Sequence, residues 1–469
     1  MRWSPDSLAA QAEGQLRRRG ATEIAGAFID SRSPRPGALF VPIVAARDGH
    51  DFLAHAIAGG AAAILVRRGH PLGSVDADGP GDLTPEITVV EVDDTLAALT
   101  RLAARSRDRV EGPVVAITGS NGKTTTRAMV QAVLASAMHP VLCTRGNLNN
   151  HLGVPLTLLD EPHEPRAMVV ELGMSAPGEN DHLAAIVRPS VAIITSIALE
   201  HLEFMGTLEA IAAAEAEVVP HVAPDGIVVV PSDEPTLRPH LPASERGPAV
   251  LGIGPTEDAD VVVLGVALGE RTEATLRLRT GDVITVRLRC FGAHNARNAA
   301  AALAVGTHLG LPLPPMLQAL EAVEPVGDRG RVHHLGPHLL VADCYNANPG
   351  SMEAALGSLA AIDRQGPRVA VLGDMLELGP REHELHAEVG RRCAALGLDL
   401  VITLGPLGEA IARAAHDAGA TAHHVGDDLE AAAVLVREAL EGAQPGAVLL
   451  KASRGVRLER LLPRLGLEG

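Results

Sequence analysis

The sequence predicts an α/β protein of three domains, and three observations carry that reading. Short runs of buried-strand character, such as Val114-Val115-Ala116-Ile117 and Val191-Ala192-Ile193-Ile194, alternate with helical patterns. A glycine-rich turn, Gly119-Ser120-Asn121-Gly122-Lys123-Thr124-Thr125, joins one such run to a helical pattern from Thr124 to Ala137. The chain has 469 residues, more than one hydrophobic core organises, so about two to four domains are expected.

The elements fall into three blocks. In the first, residues 1–109, Ala38 to Val41 and Ala62 to Val66 read as strands around a helix from Phe52 to Ala61, and Gly73 to Pro85 reads as a Gly/Asp/Pro-rich surface loop. The second, residues 110–323, opens on the strand before the glycine-rich turn. It continues with buried runs at Ala167 to Val170, Val191 to Ile194 and Gly226 to Val230, and the alternation from Ala259 to Cys290 adds antiparallel strands. The third, residues 324–469, repeats strand and helix, with strands at Leu339 to Val341, Arg368 to Leu372, Leu400 to Thr403 and Ala447 to Lys451. That order predicts a mainly parallel, Rossmann-like sheet with helices on both faces.

Lysine usage singles out the turn. The chain has 40 basic residues, and only Lys123 and Lys451 among them are lysines. Arginine is a rigid planar fork, whereas lysine is a compact point charge, so a lysine retained here marks a site that a guanidinium does not suit. A strand, a glycine-rich loop and a helix N-terminus make a phosphate cradle. Backbone N–H groups from Gly119 to Thr125 face the anion, Lys123 reaches the terminal phosphates, and Thr124 can hold Mg²⁺. Only two residues separate Gly119 from Gly122, and Ile117 stands where the longer form of this loop needs glycine. Ordinary kinases and GTPases therefore fit poorly.

Composition excludes other classes. A net charge of −17 and only one Trp, one Tyr and five Phe argue against a nucleic-acid partner, which demands a basic surface and stacking rings. With 46% apolar residues the chain is globular, yet no run approaches the roughly 18 apolar residues of a membrane span, so no membrane insertion is expected. Met1 to Gln15 lacks a continuous apolar region, and the four cysteines are scattered without metal-type spacing. These features predict a reduced, cytoplasmic protein, expected to act as a monomer.

Two carboxylates stand out. Glu171 ends a buried run, at the strand edge where open α/β sheets bind ligands, and is placed to hold Mg²⁺ between nucleotide phosphates. From Thr207 to Val219 a helical stripe of Leu208, Ile211, Val218 and Val219 includes Glu215, while Glu209 and Glu217 point away. A carboxylate on a buried face needs a partner or a metal.

The short loop resembles the ATP loop of the Mur ligases, which build the peptidoglycan precursor, and of the related folylpolyglutamate synthases. Motifs along nearly the whole chain agree. Gly292-Ala293-His294-Asn295-Ala296-Arg297-Asn298 matches a family helix start whose first Asn, here Asn295, contacts adenine. Asp328-Arg329-Gly330 and Asp343-Cys344-Tyr345-Asn346-Ala347-Asn348-Pro349 resemble segments that close over ATP, with Arg329 at the phosphates and Asp343 at the ribose. One acid of the second segment is replaced by Ala342. Within the family, Gly373-Asp374-Met375-Leu376-Glu377-Leu378-Gly379, His386 and the Tyr345-to-Pro349 run match the branch that adds D-alanyl-D-alanine. So does Gly146-Asn147-Leu148-Asn149-Asn150-His151. Asp30-Ser31-Arg32 and Asp48-Gly49-His50-Asp51-Phe52 resemble that branch's UDP-binding block, and no D-N-P-R segment of the sister ligase is present.

The resemblance implies ATP-dependent ligation of D-Ala-D-Ala to UDP-MurNAc-tripeptide through an acyl phosphate. It implies substrate contacts from Ser31, Arg32, Asn147, Asn149, Asn150, Tyr345, Asn346 and Asn348. Mg²⁺ would be held by Thr124, Glu171, His201 and Glu215, with His201 at a second ion. The family has a CO₂-modified lysine where this chain has Glu215. Either that function is lost, or Glu215 supplies a permanent carboxylate on a side chain shorter by roughly 3–4 Å. Two rival readings stay open: a family member acting on another amine, and a weakened paralogue that senses the precursor. Diaminopimelate and lysine are equally compatible with the third peptide position.

Overall fold

A computed structural model describes residues 1–20, 23–71, 87–160, 162, 164–200, 205–243 and 247–467. The loop expected at Gly73 to Pro85, and His201, lie outside the described residues. The chain packs into two compact units. The first comprises Met1–Ala116, Met138–Gly173 and Asp181–Ser190, and the second Ile117–Ala137, Met174–Asn180 and Val191–Gly469.

In the first unit a five-stranded sheet runs in the order Gln15–Arg18, Thr88–Val92, Ala63–Arg67, Leu39–Phe40, Ala27–Phe28. Only its first strand is antiparallel to its neighbour. The strands expected around Leu39 and Ile64 are present, and the rings of Phe28 and Phe40, on neighbouring strands, meet at a tilt with centres 5.2 Å apart in the core. The expected helix from Phe52 to Ala61 is shorter, covering Leu53–Ala58 after a 3₁₀ turn at Gly49–Phe52. Gly60, at φ +90°, adopts a left-handed conformation that stops it. Val141–Cys143 pairs in parallel with Ala167–Glu171.

In the second unit, Val191–Ile194, Ile227–Pro231, Ala249–Gly254 and Val261–Leu268 lie side by side in parallel. The first two are buried along their whole length, as strands covered on both faces are. Thr272–Arg277 and Val283–Leu288 then add antiparallel strands, as the alternation from Ala259 predicts. Thr272–Arg277 alternates buried and half-buried residues, the period-two signature of a sheet with one wet face.

The C-terminal sheet has the order Arg331–Leu335, His338–Ala342, Ala447–Lys451, Arg368–Leu372, Leu400–Thr403, Ala422–His424. It is parallel except for the first hairpin. Alternate residues of these strands feed two cores. Leu339, Val341 and Leu449 pack with Met352, Leu385 and Ile411 from three helices, while Leu340, Val448 and Leu450 pack with Ala432, Val436 and Leu461. Helices therefore cover both faces, and the Rossmann-like expectation holds.

Candidate functional site

The glycine-rich turn is built as a phosphate cradle. The strand Val114–Thr118 is buried throughout, and the following helix runs Lys123–Ala135, starting one residue before the expected Thr124. Gly119 sits at φ +116°, and a Cβ there would come within 2.4 Å of Thr195 Oγ1, so no other residue fits. Gly122, at φ +89°, occupies the N-cap position and supplies no side chain to the helix N-terminus. Gly122 thus lends no capping side chain to the first turn, whose N–H groups are donors of the kind an anionic phosphate takes.

Residues 195–198 hold the loop in shape. Thr195 N and Oγ1 both donate to Thr118 O at 3.0 Å, Ser120 N donates to Ser196 O at 2.8 Å, and Asn121 N donates to Ser196 Oγ at 2.9 Å. Lys123 Nζ lies 2.5 Å from Gly119 O and 3.4 Å from Ser120 O, arched over the loop. Thr124 and Thr125 are buried beneath it. These groups fit the phosphates of a nucleotide, and the Thr124 hydroxyl is an oxygen donor of the kind Mg²⁺ takes.

Glu215 meets this loop at its root. The helix Leu208–Glu215 begins at Thr207, whose side chain accepts from Ala210 N, and passes into a 3₁₀ turn over Ala216–His221. The helix expected to reach Val219 thus changes type at Glu215, a turn before Pro220. Glu215 is 1% exposed, while Glu209 is exposed and Glu217 half-buried, accepting from Gly178 N at 2.7 Å. The Glu215 Oε2 atom accepts from Thr118 Oγ1 in a short bond, from Gly119 N at 2.8 Å and from Asn180 Nδ2 at 3.1 Å. The buried face expected to need a partner has three.

A second carboxylate joins the cluster. Glu200 is buried, and burial pushes its acid up to about 7, opposed by the Lys123 charge and reinforced by Glu215. Neither Glu200 nor Asn180 is among the site residues the sequence predicts. Glu200 had a faint signal, its place beside His201, whereas nothing local distinguishes Asn180.

In the first unit, Glu171 closes the strand Ala167–Glu171 and is 3% exposed. Its N–H donates to Thr144 Oγ1 at 3.0 Å, and Asn149 Nδ2 donates to its Oε1 at 3.0 Å, so Asn149 and Glu171 come together. Asn150 instead accepts from Leu152 N and Gly153 N, organising the start of the helix Gly153–Leu159, and Asn147 is exposed. Arg32 lies at the surface in a two-point pair with Asp30, which lowers the Asp30 acid to about 2. Ser31 is buried with its Oγ 3.3 Å from His55 Nδ1. His50 is buried, its Nδ1 2.5 Å from Asp48 and its Nε2 accepting from Arg67 N at 3.1 Å.

The C-terminal motifs converge on one strand end. Lys451, the last residue of Ala447–Lys451, is 2% exposed and pairs with Asp343 Oδ2 at 2.7 Å, while its Nζ also donates to Asn346 O at 3.2 Å. Ser453 Oγ donates to Ala347 O at 3.2 Å and accepts from Leu376 N at 3.0 Å, joining the Tyr345-to-Pro349 run to the Gly373-to-Gly379 loop. His386 Nε2 accepts from Met375 N at 2.9 Å, and Asp374 Oδ1 accepts from Leu407 N and Gly408 N. The Arg329 guanidinium lies 3.5 Å from the Tyr345 ring centre. Asn295 is not the cap of its helix, which starts at His294. Its Nδ2 donates to Phe291 O and its Oδ1 accepts from Asn298, which in turn accepts from Thr126 behind the phosphate loop. Asn348 caps the helix Pro349–Ala360 and also pairs with Asn121.

Comparison with known proteins agrees with this geometry. Residues 117–306 match the Mur ligase middle domain, and residues 330–455 match the Mur ligase glutamate ligase domain. The UDP-N-acetylmuramoyl-tripeptide–D-alanyl-D-alanine ligase of Bacillus subtilis is 34% identical over 449 residues, covering 95% of this chain and 93% of the relative. The enzyme of that name from Escherichia coli is 35% identical over 441 residues, 93% of this chain and 92% of the relative. A crystal structure of MurF from Acinetobacter baumannii superposes with a TM-score of 0.86 at 31% identity, covering 99% of both chains. MurF from Thermotoga maritima in complex with ADP gives 0.81 at 30% identity, over 94% of this chain and 97% of that one. The chain belongs to the Mur ligase family.

Proposed function

We propose that this chain joins D-alanyl-D-alanine to UDP-N-acetylmuramoyl-tripeptide at the expense of ATP, forming the pentapeptide precursor of peptidoglycan. The observation that carries the reading is the phosphate loop, a helix N-terminus headed by Gly122 with Lys123 above it, in a chain alike over more than nine-tenths of its length to ligases of that name. The tripeptide carboxylate attacks the γ-phosphorus of ATP, the bond to the bridging oxygen breaks, and ADP leaves. The amine of D-Ala-D-Ala then adds to the acyl phosphate carbon, loses its proton, and expels inorganic phosphate as the peptide bond forms.

Several anionic groups must meet in this reaction, so the chain's task is charge handling and placement. Lys123 and the N–H groups of the loop hold the phosphates. Mg²⁺ would neutralise phosphate charge, with Thr124, Glu171, Glu215 and His201 carried over from the family as its ligands. By the same carry-over, Asn295 serves the adenine, Asp343 the ribose and Arg329 the phosphates. Ser31, Arg32, Asn147, Asn149, Asn150, Tyr345, Asn346 and Asn348 serve the two other substrates. We assign residues 1–109 to the UDP-sugar, 110–323 to ATP and 324–469 to closure over the nucleotide. We place the protein in the cytoplasm as a monomer, and among the described residues no helix is long and apolar enough to cross a membrane.

The test is phosphate release with both UDP-tripeptides and a panel of amines. Release that requires D-Ala-D-Ala supports the reading. Release with a single amino acid instead assigns the chain to another member of the family, and ATP binding without release assigns it to a sensor.

A further inference from the structure

We propose that Asn180 is a positioning residue that fixes the Glu215 carboxylate and, through it, the first peptide of the phosphate loop. Asn180 is the second residue of the helix Glu179–Val187 and is fully buried. Its Nδ2 lies 3.1 Å from Glu215 Oε2, 3.0 Å from Thr118 Oγ1 and 3.2 Å from Ala214 O. Its Oδ1 is buried without a hydrogen-bond partner among the described residues.

The orientation of this amide is fixed by chemistry. Turned the other way, its oxygen would face the Glu215 carboxylate and the Ala214 carbonyl, both acceptors only. With the amine toward Glu215, Oε2 is held between two side-chain donors, Thr118 Oγ1 and Asn180 Nδ2, and receives the Gly119 N–H at 2.8 Å. Gly119 is the residue whose left-handed φ turns the chain out of the strand. Among the described residues, every hydrogen bond to this carboxylate goes to Oε2. One oxygen is committed to the loop, and Oε1 is the oxygen left to act outward. A buried amide with an unmet acceptor is a standing cost, and its donor end accounts for its presence.

This inference rests on the reading of Glu215 as a working carboxylate, so the experiment separates the two. Asn180→Ser shortens the side chain beyond reach of Glu215, and Asn180→Leu keeps the volume without the donor. Hydrogen exchange of the peptide spanning Val114 to Lys123 reports the positioning, and the Mg²⁺ concentration for half-maximal ligation reports the role of Glu215. We expect either substitution to speed exchange and to raise the Mg²⁺ requirement, each by about tenfold. Combined with Glu215→Ala, it should add nothing further. Unchanged exchange, or losses that add in the double variant, overturns the positioning role. Faster exchange with an unchanged Mg²⁺ requirement keeps the positioning role and removes Glu215 from the reaction. Should Asn180→Leu not fold, Asn180→Ser carries the same comparison.

Discussion

Asn121 and Asn348 exchange two hydrogen bonds, Asn348 Nδ2 to Asn121 Oδ1 at 2.9 Å and Asn121 Nδ2 to Asn348 Oδ1 at 3.3 Å. One amide belongs to the phosphate loop. The other caps the helix Pro349–Ala360 through Ser351 N at 2.8 Å. Asn348→Ser should keep the cap and lose the pair, lowering stability by about 1 kcal/mol. Asn121→Ala should cost a similar amount, and the double variant little more than either alone. Urea denaturation of the four proteins measures this, and additive losses would show two unconnected amides.

On the proposed role of Lys123 at the phosphates, Lys123→Ala should lower turnover by about 10²- to 10³-fold while leaving thermal stability near the parent's, because the hydrogen bonds to Gly119 O and Ser120 O lie within its own loop. Lys123→Arg should fail nearly as badly, since a forked guanidinium does not fit a point-charge site. Parent-like turnover by the arginine variant would refute that explanation for the retained lysine.

Glu215 is a carboxylate without need of CO₂. Ligation should therefore be insensitive to removal of CO₂ and bicarbonate. Glu215→Gln keeps the size of the side chain but removes its charge. Turnover should fall by about 10- to 100-fold, with a higher Mg²⁺ requirement. A variant that ligates as fast as the parent at limiting Mg²⁺ would make Glu215 a bystander.

His386 should make stability fall on acidification. Burial lowers its pKa from 6.5, outweighing the pull of the Glu382 carbonyl, and Nε2 must stay unprotonated to accept from Met375 N–H. Below about pH 6.5 the unfolded chain takes up a proton that the folded chain resists, so in that window stability rises with pH and is lost as pH falls. His386→Asn should cost about 2 kcal/mol at pH 7 and show a shallower acid slope. Denaturation curves from pH 5 to 8 compare the two slopes, and parallel slopes would assign the acid sensitivity elsewhere.

Much of the fold was legible because strands buried on both faces read as unbroken apolar runs. Arg368–Leu372, Leu400–Thr403 and Ala447–Lys451 occur where the sequence predicts them. The phosphate loop was legible because its chemistry lies in consecutive residues. The helix after Phe52 was overrun because Ala-rich spacing continues into Gly59 and Gly60, where the backbone turns. Asn180 and Ser453 were not legible, since each acquires its partners from distant parts of the chain. The Lys451–Asp343 pair, 108 residues apart, depends on the register between two parallel strands. Periodicity does not carry that information.

This protein has no fully exposed lysine. Lys451 is sealed behind Asp343, and Lys123 is half-buried over the loop that would hold ATP. An amine-selective acylating reagent therefore meets, besides the α-amino group, a single reachable target, and that target is the lysine proposed to hold the phosphates. Labelling stoichiometry becomes a count of nucleotide-free loops, read without turnover, second substrate or engineered tag.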